Sequence, residues 1–449
     1  MQDLTRISLV DSPEEALTPR EHRLDFIANI LNRGAIINGI LAIIVILAAA
    51  LGAFGVLGDT FTTLQNVSLF RSTVAPDTAS LMIILTMLLN TSLLLVLMTG
   101  VLAREGWAFI GIWLLVIGNV AALVTQGFTP GIITILIGLW AGIIAGRDVR
   151  AFRMNPVMLK ELRGRMRGVR AFAVLTIYLG LMSGVTVLLF LIFTALNRSE
   201  GSAAAGEIGR VLFMGIVGIE LLLIIFIAPA FTAGAITGER ERQTYDLLRT
   251  TLLASPPFVI GKLESALSYT LLLLLAAIPL QSIAFLFGGV TEVELLLAFI
   301  ILTVTAIALG TVGIYFSAIA PRTLSASVRA YTVALVVTFG IPLVLSFILN
   351  IFTGALFGTG TGITRSPVLE GLLVYLGLFL VSINPIATAL ASQQLLIDQQ
   401  VTGFWTTTLS SNGDTIPMVS PWISFTIIYL AVSTVLIVLA IRRMRKVEA

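Results

Sequence analysis

The sequence predicts an all-α, polytopic membrane protein of about ten transmembrane helices. Three observations lead there. The 449 residues are 57% hydrophobic and only 11% charged, with a mean hydropathy of +1.03, where soluble domains carry about 25% charged residues. Apolar runs near the roughly 20 residues that cross a bilayer as a helix recur along the chain. Period-2 alternation is missing, and lipid offers no partner to open backbone groups, so helices are the expected spanning element.

Taken in order, the expected spans are 35–56, 79–103, 107–125 and 130–145. After a basic stretch come 171–196, 211–236, 264–287, 294–319, 331–352 and 422–441. Ten crossings return the C-terminus to the side of the N-terminus. That side then holds 23 of the 27 Lys and Arg, and the other keeps only Arg71, Arg198, Arg210 and Arg365. The positive-inside rule therefore predicts cytoplasmic termini. A further apolar run, 372–390, is broken at Asn384-Pro385. If it crossed, Arg442, Arg443, Arg445 and Lys446 would lie outside, so a re-entrant or surface-lying segment is expected within a long exoplasmic stretch, 353–421. The first apolar run follows a 34-residue polar lead, too long for the basic start of a signal peptide. The expected location is the plasma (inner) membrane of a prokaryote.

Four regions follow from the composition: a cytoplasmic amphipathic lead (1–34), a four-span extension (35–145), a basic elbow (146–170) and a six-span unit (171–449). The lead carries two helix-start signatures, Ser12-Pro13-Glu14-Glu15 and Thr18-Pro19-Arg20-Glu21. The second opens a helix with Leu24, Ile27, Ile30 and Leu31 on one face and Arg20, Arg23 and Arg33 at the height of the headgroups, an interfacial lead-in to the first span. The elbow has eight Lys/Arg against two acids. There Asn155-Pro156 starts a helix, and Val157, Met158, Leu162 and Met166 recur at helical spacing, predicting a basic amphipathic helix on the bilayer surface.

Several chemistries are excluded by composition. Without cysteine there are no disulfides, thiolate metal sites or cysteine nucleophiles, and the single histidine, His22, removes histidine triads and helix-borne zinc sites. Neither a metal site, a cofactor nor a nucleic-acid partner is expected, and the chain itself is not expected to be an enzyme. Gly261-Lys262 is followed by leucine and lacks the upstream glycine of a phosphate-binding loop.

The most informative segment lies between the sixth and seventh runs, from Gly238-Glu239-Arg240-Glu241-Arg242-Gln243-Thr244-Tyr245 to Gly261-Lys262. A helix from about Glu239 places Tyr245, Leu248 and Leu252 along one stripe, supported by Arg242–Asp246 and Asp246–Arg249 pairs. Ser255 caps a second helix with Pro256 at its first position, running through Lys262 into the next span. Such a piece either receives mechanical input from a soluble partner or is a solvated loop of balanced charge. Glu220 sits near the middle of a span, where an ionised carboxylate costs about 2.5–3.5 kcal/mol and must face protein or water. It is a candidate for the transport path or a protonated carboxyl bonded between helices. Asn90, Asn119 and Gln281 read as interhelical hydrogen-bonding groups.

The 238–262 segment resembles the first cytoplasmic loop of type 2 ATP-binding-cassette exporter permeases. The resemblance rests on Gly238, Glu239, Arg240, Glu241, Arg242, Thr244, Leu247, Leu248, Gly261 and Lys262, with Gln243 where a glycine is common. The elbow residues Asn155, Pro156, Lys160, Glu161 and Arg163 resemble the amphipathic helix before that family's first span, and Asn384-Pro385 fits the stretch before its last. The likeness covers residues 150–449 and leaves the four-span extension unexplained. It implies a permease subunit in the lipid bilayer, coupled through this segment to a separate ATPase subunit and paired with a second permease copy or paralogue. The alternative is a non-transporting membrane scaffold or accessory subunit.

Overall fold

The computed structural model describes residues 19–53, 76–148, 152, 155–167, 169–196, 202–245, 254–344, 367–409 and 413–448. It is a multi-pass helical membrane protein. Nine of the described helices are long and apolar enough to cross a membrane, and a tenth, 131–147, is apolar but shorter.

Helix α1 (Pro19–Ala53) is continuous, so the amphipathic lead and the first span form one helix. At 1.5 Å per residue it is about 52 Å long, well beyond a bilayer core of about 30 Å. Its predicted headgroup face goes elsewhere. Leu24, Ile27 and Leu31 are buried against Leu94, Met98 and Val101 of α2 (Pro76–Leu102). Protein packing takes that stripe because α2 offers an apolar partner at the same height. The signature at Ser12 lies outside the described residues.

Helices α3 (Gly106–Gln126) and α4 (Gly131–Arg147) complete the first block. Gly127, at φ 67°, ends α3 in the left-handed conformation with its N–H on the carbonyls of Ala122 and Leu123, a role suited to glycine. Asn90 and Asn119 exchange two side-chain hydrogen bonds, 2.9 and 3.1 Å, across α2 and α3, as expected of polar groups in a helix bundle.

After α5 (Pro156–Met166) come α6 (Val169–Leu196), α7 (Ser202–Thr232), the short α8 (Thr237–Glu241), α9 (Ser255–Phe287) and α10 (Glu292–Ile319). α7 and α10 are the most buried. A Cβ on Gly313 would lie 1.9 Å from Thr232 Oγ1, so glycine lets these two backbones approach. α10 opens with a full capping box between Thr291 and Glu294. α9 starts at Ser255 itself with Ala254 as its N-cap, one residue before the predicted cap, and runs unbroken through Lys262.

Helix α11 (Thr323–Leu335) passes into a π-turn over Val336–Gly340. Helices α12 (Pro367–Ile383) and α13 (Pro385–Gln399) then meet at a bend of 117° at Asn384, a broken rather than a straight apolar run. Asn384 caps α13 through Ala387 N (2.7 Å) and donates to the carbonyls of Val337 (3.1 Å) and Thr338 (2.6 Å) in the π-turn. The tip of the bent pair is thus pinned to α11.

A two-stranded antiparallel hairpin follows, β1 (Phe404–Thr408) with β2 (Thr415–Val419), Trp405 facing Met418 in register. It is an element that the helix-only reading misses. The signal was present in the β-branched run Thr406-Thr407-Thr408 and the Asn412-Gly413 dipeptide of the sequence, and Gly413 has φ 77°. Last comes α14 (Pro421–Glu448).

The first block docks on the second through α2, which packs on α14. Ser92 lies 3.4 Å from the carbonyl of Ile427, and Val438 joins the first block's core.

Candidate functional site

The connection from α7 to α9 is gripped by four surrounding helices, and each grip has its own chemistry. α8 begins with backbone donors that have no partner inside the helix. The hydroxyl of Ser317 on α10 accepts two of them, Ile236 N at 2.9 Å and Thr237 N at 3.1 Å. Thr237 is fully buried.

Glu239 and Lys262 form the second grip. Lys262 Nζ donates to Glu239 Oε1 (2.6 Å) and to Glu161 Oε1 on α5 (2.7 Å), and its side chain is 4% exposed. A buried ammonium requires such partners. Thr244 completes the Glu239 carboxylate by donating to its other oxygen. The elbow is fixed to α9 in a second way. Asn155 caps α5 through Val157 N (3.0 Å) and donates to the carbonyl of Pro257 (2.6 Å). A Cβ on Gly261 would lie 2.6 Å from that amide, so glycine makes room for it. The elbow stripe expected to rest on the bilayer therefore meets α9, with Val157, Met158 and Leu162 half-buried.

Arg240 closes the end of α10. Its guanidinium donates to the carbonyls of Ala318 (3.1 Å) and Ala320 (3.3 Å), touches Met444 Sδ on α14 (3.4 Å) and lies 5.4 Å from the Tyr245 ring centre. Cations favour the carbonyl end of a helix. Glu241 does the converse at α11, accepting from Thr323 N (2.7 Å) and Thr323 Oγ1 (2.9 Å). A carboxylate at a helix N-terminus satisfies orphan donors and meets the positive end of the dipole.

Glu239, Arg240 and Glu241 therefore face their own chain. Arg242 and Thr244 are exposed, Gly238 has open space around its Cα, and Tyr245 is buried against Phe258. The continuous helix expected from Glu239 is interrupted, because Gln243 has φ 58°. Glycine adopts that conformation readily, whereas a residue with a Cβ meets its own backbone there. Leu247, Leu248, Leu252 and the Asp246 pairs lie outside the described residues. On the elbow, Asn155, Glu161 and Arg165 turn inward, the last donating to the Phe231 carbonyl at 3.1 Å, while Pro156, Lys160 and Arg163 are exposed.

The sequence matches no model of a known protein family and no curated protein.

Two further groups matter. Glu220 is fully buried, accepting from Gln281 Nε2 (2.5 Å) and lying 3.4 Å from the Tyr178 hydroxyl. It ties α6, α7 and α9 together, 12 residues or about 18 Å along the helix from the end of α7. Missed from the sequence was the contact of the first block with this region. Glu105, in the turn between α2 and α3, is 3% exposed and lies beside Asn155 and Glu264, and Trp107 Nε1 donates to Glu264 at 2.6 Å. Burial raises the Glu105 carboxyl above its ordinary value of 4.5, although the Asn155 bond opposes this. No local pattern marks residues such as Ser317, Thr323 and Trp107, since their partners are 80 to 157 positions away.

Proposed function

We propose that the chain is the membrane permease subunit of a type 2 ATP-binding-cassette exporter, working with a separate ATPase subunit and a second permease copy or paralogue. The observation that carries the reading is the gripping of residues 236–245 by α5, α9, α10, α11 and α14. A force applied to this short segment reaches five helices through polar contacts, and four of those helices, α9, α10, α11 and α14, belong to long apolar candidates for spans. A solvated loop of balanced charge has no use for a Glu239, an Arg240 and a Glu241 that each bond to neighbouring helices, Glu241 from an exposed position.

In this reading both termini, the elbow and residues 236–263 are cytoplasmic in the plasma (inner) membrane, in line with 23 of 27 basic residues on that side. The ATPase meets the exposed Arg242 and the apolar positions Leu247, Leu248 and Leu252 that follow it in the sequence. The inward residues pass the motion on. ATP hydrolysis belongs to the partner.

The test is capture. The chain is co-expressed with ATP-binding-cassette ATPase subunits of the same genome, and wild type is compared with a variant carrying Arg242→Glu and Leu248→Asp. Loss of a captured ATPase from a variant that still elutes as folded protein is the expected result. Equal capture by both proteins, or none by wild type with any ATPase, sinks the reading and favours the scaffold alternative.

A further inference from the structure

At the end of the molecule opposite the gripped segment, α12, α13 and the β-hairpin line an open cleft of about 320 Å³. That volume is at the lower bound of small-ligand sites, about 300–1,000 Å³. Its walls are aliphatic, from Leu378 and Val381 on α12, Leu395 on α13 and Met418 on β2. Trp405, the cross-strand neighbour of Met418, adds the only aromatic ring of the lining.

The polar groups are few and one-sided. Among the described residues, Asp398 is the only charged residue of the lining, with no Lys or Arg. Gln394 Nε2 donates to Asp398 Oδ2 at 2.7 Å, which orients the carboxylate at the exposed rim. The surrounding end of the molecule has the same sign. Glu207, Glu292, Glu294 and Asp414 stand there against Arg210 among the described residues.

We propose that this cleft binds an organic cation, a quaternary nitrogen carried on an apolar body. The aliphatic walls remove such a body from water. The Trp405 ring and the Asp398 carboxylate attract the charge, the first through its quadrupole and the second directly. An anion gains nothing here and meets a like charge at the rim. Lipid headgroups with a trimethylammonium and free amphipathic cations share this chemistry. The inference is independent of the ATPase reading, because it concerns a different end of the molecule and needs no hydrolysis.

The test uses ethidium and the whole protein in maltoside micelles, with protein-free micelles as the baseline for partitioning. Wild type is expected to show a saturable increase in ethidium fluorescence. Asp398→Asn and Trp405→Leu are each expected to weaken it at least tenfold. Asp398 is exposed and its asparagine isostere keeps the bond from Gln394, so loss of fold does not mimic loss of binding. An anionic naphthalenesulfonate probe should show no dependence on Asp398. Competition by short-chain phosphatidylcholine assigns the site to lipid headgroups, and its absence assigns it to free cations. No saturable binding by wild type, or equal affinity in Asp398→Asn, overturns the proposal.

Discussion

Lys262 carries the largest electrostatic stake of any single residue in the gripped segment. Its ammonium is nearly sealed from water and held by Glu161 and Glu239. Removing one partner from a buried ion pair costs about 3–5 kcal/mol, because the other charge is left uncompensated. Lys262→Met is therefore expected to lower the melting temperature of the purified protein clearly, leaving two carboxylates close together. Glu161→Gln, whose glutamine still accepts a hydrogen bond and whose side chain is 24% exposed, should cost less. A melting curve for Lys262→Met that overlays wild type would show the pair to be screened. Gln243 offers a cleaner backbone test. Its φ of 58° costs a non-glycine residue roughly 1–2 kcal/mol. Gln243→Gly should leave stability unchanged or raise it, whereas Gln243→Val, β-branched, should lower it. Thermal unfolding in detergent distinguishes them, and equal effects would contradict the left-handed backbone. At this scale the sequence is readable where chemistry is local. The Asn155 cap, the Asn384 break and the polar pair potential of Asn90 and Asn119 follow from residue type. Which carbonyl Arg240 reaches does not, since its partners are 78 and 80 positions away.

Among elements, α11 is the informative one. It is capped at its start by Glu241 and touched in its π-turn by Asn384, so both the gripped segment and the bent pair hold the same helix. π-turns recur at functional positions, and this one presents backbone carbonyls to a side chain from elsewhere. Asn384→Leu should remove both bonds to Val337 and Thr338 and raise the hydrogen-exchange rates of amides around 336–340 by about tenfold, as expected from losing hydrogen bonds worth about 1 kcal/mol or more. Unchanged exchange there would mean that the π-turn needs no partner. Helix packing gives a second expectation. Gly313→Leu forces a side chain into the space held by Thr232, and overpacking typically costs about 1–3 kcal/mol. A lower melting temperature is the expected reading. Element identity was mostly legible, because long apolar runs admit one spanning solution. Element ends were not. The lead merged with the first span in α1, and the β-hairpin was hidden inside a stretch read as loop, because apolar content says where a helix crosses and nothing about where it stops.

For the whole molecule, the union of the two blocks carries a titratable contact. Glu105 holds its proton more tightly when folded than when unfolded, because burial disfavours the charged form. The sign follows from linkage: the folded state binds the proton at pH values where the unfolded chain has released it, so this group's contribution falls as pH rises from about the ordinary 4.5 through its raised folded value. Glu105→Gln should flatten the pH dependence of melting over that range while keeping the fold. A pH profile identical to wild type would assign the dependence to other groups. The multi-pass helical character could be anticipated from hydropathy, but the docking of α2 on α14 could not, since nothing in an apolar run says which face meets protein and which meets lipid. That docking has a geometric consequence for any two-fold assembly of this chain. With α2 laid against α14, the flank of α14 is already occupied within one subunit. The apolar surface left for a second copy or for lipid is greatest on α6 and on the run that begins with α11, each about five-sixths uncovered.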